Sequence, residues 1–360
     1  MLLNIHLNAR FLGWRATGVG RYSREMWAHL APLLSQDGRF RASAIAPGNP
    51  PAATLGELGS LPRPSMIGAV LWEQLILPLR ARDGFLVNLS NTGPLAVRRQ
   101  LVVIHDASVM AMPDNYSLAF RTWYKVALHA LLRRARQVVT DSQFSRSELA
   151  RRCAVPAERI EVVPCGCDHL DAVTPDPSIL SRAGLIPGRY VLAVGTPSRA
   201  KNLALALEAM TRLGDPDLAL AVVGEVEPRV FKANRIAWPA FARLLGSASD
   251  AELKALYQHA LCFVFPSRYE GFGLPPLEAM RCGCPAVVSK AASLPEVCGD
   301  AALYVDPDDA DGLARHIRML ADSGPARDSL RTLGFERARR YPWSAAAAKL
   351  FSLIAAASAT

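Results

Sequence analysis

The densest chemistry in this chain lies in one short stretch, FPSRYEGFGLPPLEAM, residues 265 to 280. An apolar run ends there, two glycines make a turn, and Pro275 or Pro276 suits the first turn of a helix. The amides of Gly271, Phe272, Gly273 and Leu274, with the positive end of that helix, would face an anion, and phosphate fits them. Glu270 precedes the turn and Glu278 lies inside the helix, with seven residues between them. Carboxylates beside a phosphate site repel it unless they accept hydrogen bonds from hydroxyls, as on a sugar or a ribose. The pattern therefore asks for an anion flanked by polyols, which is a nucleotide-sugar. Two solvated glutamates around a tight turn are the alternative that the residues leave open.

Two smaller features could join such a site. Gly18 and Gly20, in the run TGVGRY, precede a helix expected to start near Tyr22, and glycine lets a backbone approach phosphate closely. A plain loop turn would use the same residues. His105 and Asp106 end a buried apolar run at its carboxyl end, where parallel sheets gather their active-site groups. A histidine satisfied within the core is the rival reading there.

The elements that must position these groups follow from periodicity. Near-continuous apolar runs, as in strands buried on both faces, occur at Leu2–Asn8, Ala42–Ala46, Phe85–Leu89, Leu101–His105, Gln137–Thr140 and Ile160–Cys165. Six more lie at Tyr190–Gly195, Leu218–Val223, Ala242–Leu245, Leu261–Phe265, Ala286–Ser289 and Ala302–Val305. Helical patterns separate them, among them Ser117–Arg136, Lys201–Leu213 and Asp250–Gln258, the last with Ser249 or Asp250 as its cap. Strand–helix alternation carried through twice predicts two doubly wound α/β domains that face a central cleft. The turn-rich DHLDAVTPDP puts the boundary between 1–172 and 173–343, and the run from 344 to 360 reads as a separate last helix. The segment Pro47 to Leu71 carries no signal.

Composition bounds the rest. The chain has 360 residues, 51% of them apolar, and no run long enough to span a membrane as a helix. Its start, MLLNIHLNARF, lacks a basic n-region and a cleavage site, so a cytoplasmic protein is expected. Seven cysteines, an odd number, argue against a disulfide framework, and the two C-x-C pairs lack the spacing of a zinc site. The net charge is +9, and residues 1 to 172 carry 20 Lys+Arg against 13 Asp+Glu, leaving 20 − 13 = +7 in that part. Such a balance points to an anionic partner; without a nucleic-acid motif, a phosphorylated substrate or an anionic membrane is preferred to nucleic acid. The helix SLAFRTWYKVALHALLRRAR mixes cations and aromatics and is the expected membrane contact, unless its apolar face packs on the domain.

The longer run RYEGFGLPPLEAMRCGCPAVVSKAASLPEVCGDAALYVDP, with its lead-in GSASDAELKALYQHALCFVFPS, resembles the donor site of the retaining glycosyltransferases of family 4, which have the GT-B fold. VLAVGTPSRAKNLALALEAM is similar to the opening of their donor domain, and TGVGRY, VIHDASVM and VVTDSQFSRSEL to landmarks of their acceptor domain. The resemblance implies that Glu278 binds the ribose, that Glu270 contacts the transferred sugar, and that the Phe272, Gly273 and Leu274 amides face diphosphate or sugar. It places Arg199 and Lys201 on the diphosphate as cations, although Ala200 stands directly before the lysine, where many relatives carry the arginine. It makes His105 a sugar contact with Asp106 beside it, and it sends the last helix back onto the first domain. It implies no metal and no cofactor, only a nucleotide-diphosphate sugar as donor substrate. Overall likeness to bacterial polysaccharide mannosyl- and rhamnosyltransferases favours GDP-mannose over UDP-glucose, and a glycan, lipid-linked, as acceptor at the inner face of a membrane. A nucleotide-sugar epimerase and a non-enzymatic nucleotide-sugar-binding protein share the fold and remain rivals. A dehydrogenase does not, because no G-x-G-x-x-G follows a strand and opens a helix.

Overall fold

The computed structural model describes residues 2–13, 18–48, 52, 65–196, 198–224 and 239–359. The chain forms two compact units, Met1–Gly166 with Trp343–Thr360, and Cys167–Pro342. Each is built on a six-stranded sheet whose pairs are all parallel.

In the first unit the strands are β1 (Leu3–Asn8), β2 (Phe40–Ile45), β3 (Gly84–Asn88), β4 (Gln100–Val103), β5 (Gln137–Thr140) and β6 (Ile160–Val162), in the order β2-β1-β3-β4-β5-β6. In the second they are β7 (Tyr190–Val194), β8 (Ala219–Val223), β9 (Ala242–Gly246), β10 (Cys262–Phe265), β11 (Ala286–Ser289) and β12 (Ala302–Val305), in the order β12-β11-β10-β7-β8-β9. Every apolar run read as a strand forms one, because most are buried on both faces and need no alternation; the edge strand β9 is partly exposed. The ends differ by a few residues: His105 lies beyond β4 and Cys165 beyond β6.

Both sheets reverse direction of build beside their first strand, between β1 and β3 and between β7 and β10. Loops leaving such neighbours diverge to opposite faces and open a crevice at the carboxyl ends. Lys201 follows β7 and Glu270 follows β10, so the second unit's candidate residues flank its reversal point.

The division falls at Gly166, earlier than the expected Ala172, because the turn-rich stretch belongs to the second unit. Lys254 Nζ donates to the carbonyls of Leu170 (2.8 Å), Asp171 (3.2 Å) and Val173 (2.8 Å), and Arg281 Nε donates to Asp171 (2.8 Å). The last helix, Trp343–Ser358, packs within the first unit on the helix Gly18–Gln36. Trp343 meets Tyr22 edge-on at 5.7 Å, and Gly166 must be glycine because a Cβ would overlap the Trp343 ring and backbone. The helix Asp250–His259 begins with a reciprocal cap between Ser249 and Glu252, which settles Ser249 as its cap.

Candidate active site

The second unit brings Lys201 and Glu270 together although 69 positions separate them: Nζ donates to Oε1 at 2.7 Å. Two links between the loops after β7 and β10 set this up. Asn202 adopts a left-handed backbone (φ +53°), and its amide donates to Pro266 O (3.1 Å) and Pro307 O (2.8 Å). The Arg268 N–H donates to Ala200 O at 2.7 Å. Lys201 Nζ also sits 4.8 Å from the centre of the Phe265 ring, a cation–π contact. The lysine side chain keeps 31% of its surface exposed and Glu270 only 12%, so the ammonium is anchored by the carboxylate yet open on one side. Arg199 is exposed on the same loop.

Beyond Glu270 the chain turns through Gly273, whose φ of +102° opens the helix Leu274–Arg281 with no side-chain cap. A Cβ there would also stand 2.7 Å from Leu294 Cδ2, so the position needs glycine twice over. Pro275 and Pro276 bring no N–H, which confines the early donors of this helix to Leu274 and the turn before it. The fully buried Ser293 hydroxyl is shared between the carbonyls of Glu270 (3.0 Å) and Phe272 (2.7 Å). In a trans peptide the N–H opposes the C=O, so this anchor turns the amides of Gly271 and Gly273 the other way. The Phe272 ring itself is buried, edge-on to Tyr341 at 5.8 Å, and offers only its backbone.

Glu278 is not a solvated glutamate; it is 4% exposed. Oε1 lies 3.0 Å from His169 Nε2, and Oε2 accepts from the Tyr257 hydroxyl at 3.1 Å. Burial, and then the Glu278 charge, push the Tyr257 hydroxyl well above its usual pKa, so it stays a donor. A carboxylate has about four lone-pair sites, so about two remain on Glu278 for further donors. Asn202, Ser293, His169 and Tyr257 escaped the sequence reading; the asparagine after Lys201, a residue type tolerant of left-handed backbone, was the one usable signal.

In the first unit His105 is 7% exposed, with Nδ1 2.6 Å from Asp141 Oδ2 and Nε2 3.0 Å from Leu89 O. Both partners are acceptors, so the ring satisfies both only as an imidazolium. Burial acts to lower the His105 pKa, but the charge and hydrogen bond of Asp141 outweigh it, and it stands above the ordinary 6.5. Tyr22 meets the ring edge-on at 4.6 Å, and its buried hydroxyl and Asp141 Oδ1 have no hydrogen-bond partner among the described residues. The satisfied-core arrangement thus describes the ring nitrogens of His105, held in a charged form. Asp106 is half-buried and accepts from the Ser108 N–H (2.8 Å), shaping the turn after His105. The helix expected near Tyr22 starts at Gly18, which places Gly18 and Gly20 in its first turn rather than in a loop. Gly20 is buried, and a Cβ on Gly18 would meet nothing within 4 Å. Thr17 lies outside the described residues. All seven cysteines are free, and burial pushes Cys167, Cys262, Cys282 and Cys298 up to about 12.

Two doubly wound units with a cation, a carboxylate and a glycine turn at the second one's reversal point are the architecture of GT-B glycosyltransferases. Residues 185–337 match the family model "Glycosyl transferases group 1", and 92–169 match "Glycosyltransferase Family 4". The chain is 33% identical over 264 residues to the O-antigen chain mannosyltransferase B of Escherichia coli, covering 69% of this chain and 68% of that one. It is 33% identical over 243 residues to the MMP alpha-(1->4)-mannosyltransferase of Mycolicibacterium hassiacum, covering 64% of this chain and 56% of the relative. Among solved structures, Anabaena HepE in complex with UDP-glucose superposes with a TM-score of 0.74 at 16% identity, over 99% of this chain and 100% of that one. The chain belongs to glycosyltransferase family 4, and it is a hexosyltransferase.

Proposed function

We propose that the chain transfers mannose from GDP-mannose, with retention at the anomeric carbon, to a hydroxyl of a lipid-linked glycan in bacterial polysaccharide synthesis. The observation that carries this reading is the Lys201–Glu270 pair beside the Gly271–Leu274 turn at the reversal point of the second sheet. The two mannosyltransferase relatives supply the choice of sugar. As the bond from the anomeric carbon to the diphosphate breaks, negative charge grows on the leaving oxygens, where Lys201 and Arg199 would stabilise it. The acceptor oxygen bonds to the carbon on the same face, and its proton passes to the departing phosphate oxygen. Stabilisation that grows along this path speeds the reaction rather than merely tightening binding. Glu270 holds Lys201 and accepts from sugar hydroxyls, and Glu278 takes the ribose. These cations stand in for a metal, so transfer should persist in excess chelator.

Thermal shift with GDP, UDP, ADP and TDP and their sugars tests the donor, since ligand at about 100 times its Kd stabilises the fold by ~2.7 kcal/mol. A response to UDP-glucose alone would replace the donor. Interconversion of the free nucleotide-sugar without acceptor would make the protein an epimerase. Tight binding with neither hydrolysis nor transfer would refute catalysis.

A further inference from the structure

The helical stretch of the first unit formed by Met66–Leu71, the π-helical turn Trp72–Ile76 and Leu77–Arg80 runs on without a break and is built inside out. Its polar side chains point into the unit. Glu73 is 1% exposed, pairs with Arg10 (3.1 Å), and accepts from Asn8 (2.9 Å) and Thr92 (3.1 Å). Gln74 donates to Gly93 O (3.1 Å) and accepts from the Leu95 N–H (2.9 Å). Its outward side chains are apolar: Ile67, Leu71, Leu75, Ile76 and Leu79 are 69%, 52%, 61%, 43% and 68% exposed. Surface helices normally carry the reverse arrangement, with charge outward.

These five are a cluster, not scatter, since they come from thirteen exposed large hydrophobics among all the described residues. Ile67, Leu71, Leu75 and Leu79 recur every fourth residue and form a single ridge about 18 Å long. Exposed Arg80 and Arg82 close one end of it. Glu73, the one acidic residue from 66 to 82, is buried, and the next, Asp83, is engaged by His6 (2.9 Å) and Asn4 (2.7 Å). An apolar ridge with two exposed arginines at one end, and with the exposed Asp83 beside them tied to His6, complements an anionic lipid surface. In the helix Leu118–Arg134, read from sequence as a membrane contact, Phe120 stacks between Tyr116 (5.6 Å) and the buried Tyr124 (5.7 Å), while Trp123 is half-buried and Leu118 and Val126 are exposed.

We infer that the ridge Ile67–Leu71–Leu75–Leu79 lies in an anionic lipid leaflet, its side chains among acyl chains and Arg80 and Arg82 at the headgroups. The inference rests on the proposed lipid-linked acceptor and names the face that would bring the enzyme to it. Flotation of the full chain with vesicles of phosphatidylglycerol and phosphatidylcholine tests it, against vesicles of phosphatidylcholine alone. Wild type should float with the anionic vesicles. The combined variant Leu71→Glu, Leu75→Glu, Leu79→Glu, altered only at exposed positions, should partition at least about tenfold less. Arg133→Glu with Arg134→Glu, on the other helix, should float like wild type. The inference is overturned if the triple variant floats like wild type or if wild type ignores anionic vesicles. It is overturned equally if sedimentation shows a wild-type dimer that the triple variant breaks, because the ridge would then serve self-association. Transfer to a detergent-solubilised acceptor, measured on the same proteins, reads the enzymatic proposal separately. Its absence beside intact vesicle binding would remove that proposal and leave the lipid face standing.

Discussion

Replacing Asp141 by asparagine should remove a charge without removing the geometry. In wild type the His105 ring donates from both nitrogens, to Asp141 Oδ2 at 2.6 Å and to Leu89 O at 3.0 Å. In Asp141→Asn the new amide can donate to Nδ1 while Nε2–H still donates to Leu89 O, so a neutral ring is satisfied. What is lost is the difference between a charge-assisted and a neutral hydrogen bond, about 1–2 kcal/mol. The sign of the pH dependence follows from the direction of the shift. His105 has a folded-state pKa above its ordinary 6.5, so its contribution is fully present below pH 6.5 and disappears as pH rises through the folded value. One proton limits the slope to about 1.4 kcal/mol per pH unit. The gap between wild type and variant should therefore be widest below pH 6.5 and narrow as pH rises through the folded value. Urea unfolding followed by tryptophan fluorescence reads the right unit, because Trp14, Trp27, Trp72, Trp123 and Trp343 all belong to the first and only Trp238 to the second. A gap that stays constant with pH, or widens as pH rises, would refute the imidazolium.

Three further outcomes concern the second unit. Glu278→Ala should weaken nucleotide binding by roughly 1.5–3 kcal/mol in calorimetry, because the ribose loses a charged acceptor, and should also destabilise the unit by leaving the buried Tyr257 hydroxyl without its acceptor. Lys201→Ala should lower kcat by a larger factor than it raises the donor Kd, which steady-state kinetics beside calorimetry will separate. Gly273→Ala should cost about 1–3 kcal/mol in unfolding experiments, because it strains a backbone at φ +102° and presses on Leu294.

The strands were legible because burial on both faces leaves an apolar signature that survives without any partner in view, as in β3 and β10. Gly273 and its helix were legible for a similar reason: backbone demands are local. The pairing of Lys201 with Glu270 was not, since it depends on Asn202 and Arg268 tying two loops together across the sheet. His169 hid in a stretch whose prolines and aspartates read as a linker. The ridge from Ile67 to Leu79 shows the limit most plainly. Apolar residues every fourth position ordinarily face a core, whereas in the folded chain Glu73 points inward and the leucines outward.

The return of the last helix has a consequence for biogenesis. The first unit is interrupted after Gly166 and closed only by Trp343, so its core aromatic Tyr22 waits for a partner made 321 residues later. At synthesis rates of about 5–20 residues per second, the intervening stretch takes roughly 10–35 s to emerge. Throughout that time the face of the helix Gly18–Gln36 that receives Trp343–Ser358 stands uncovered on the nascent chain. The inserted unit, by contrast, needs nothing beyond Pro342 to be complete. A released chain ending at Pro342 should hence hold a finished second unit beside a first one that chaperones still recognise.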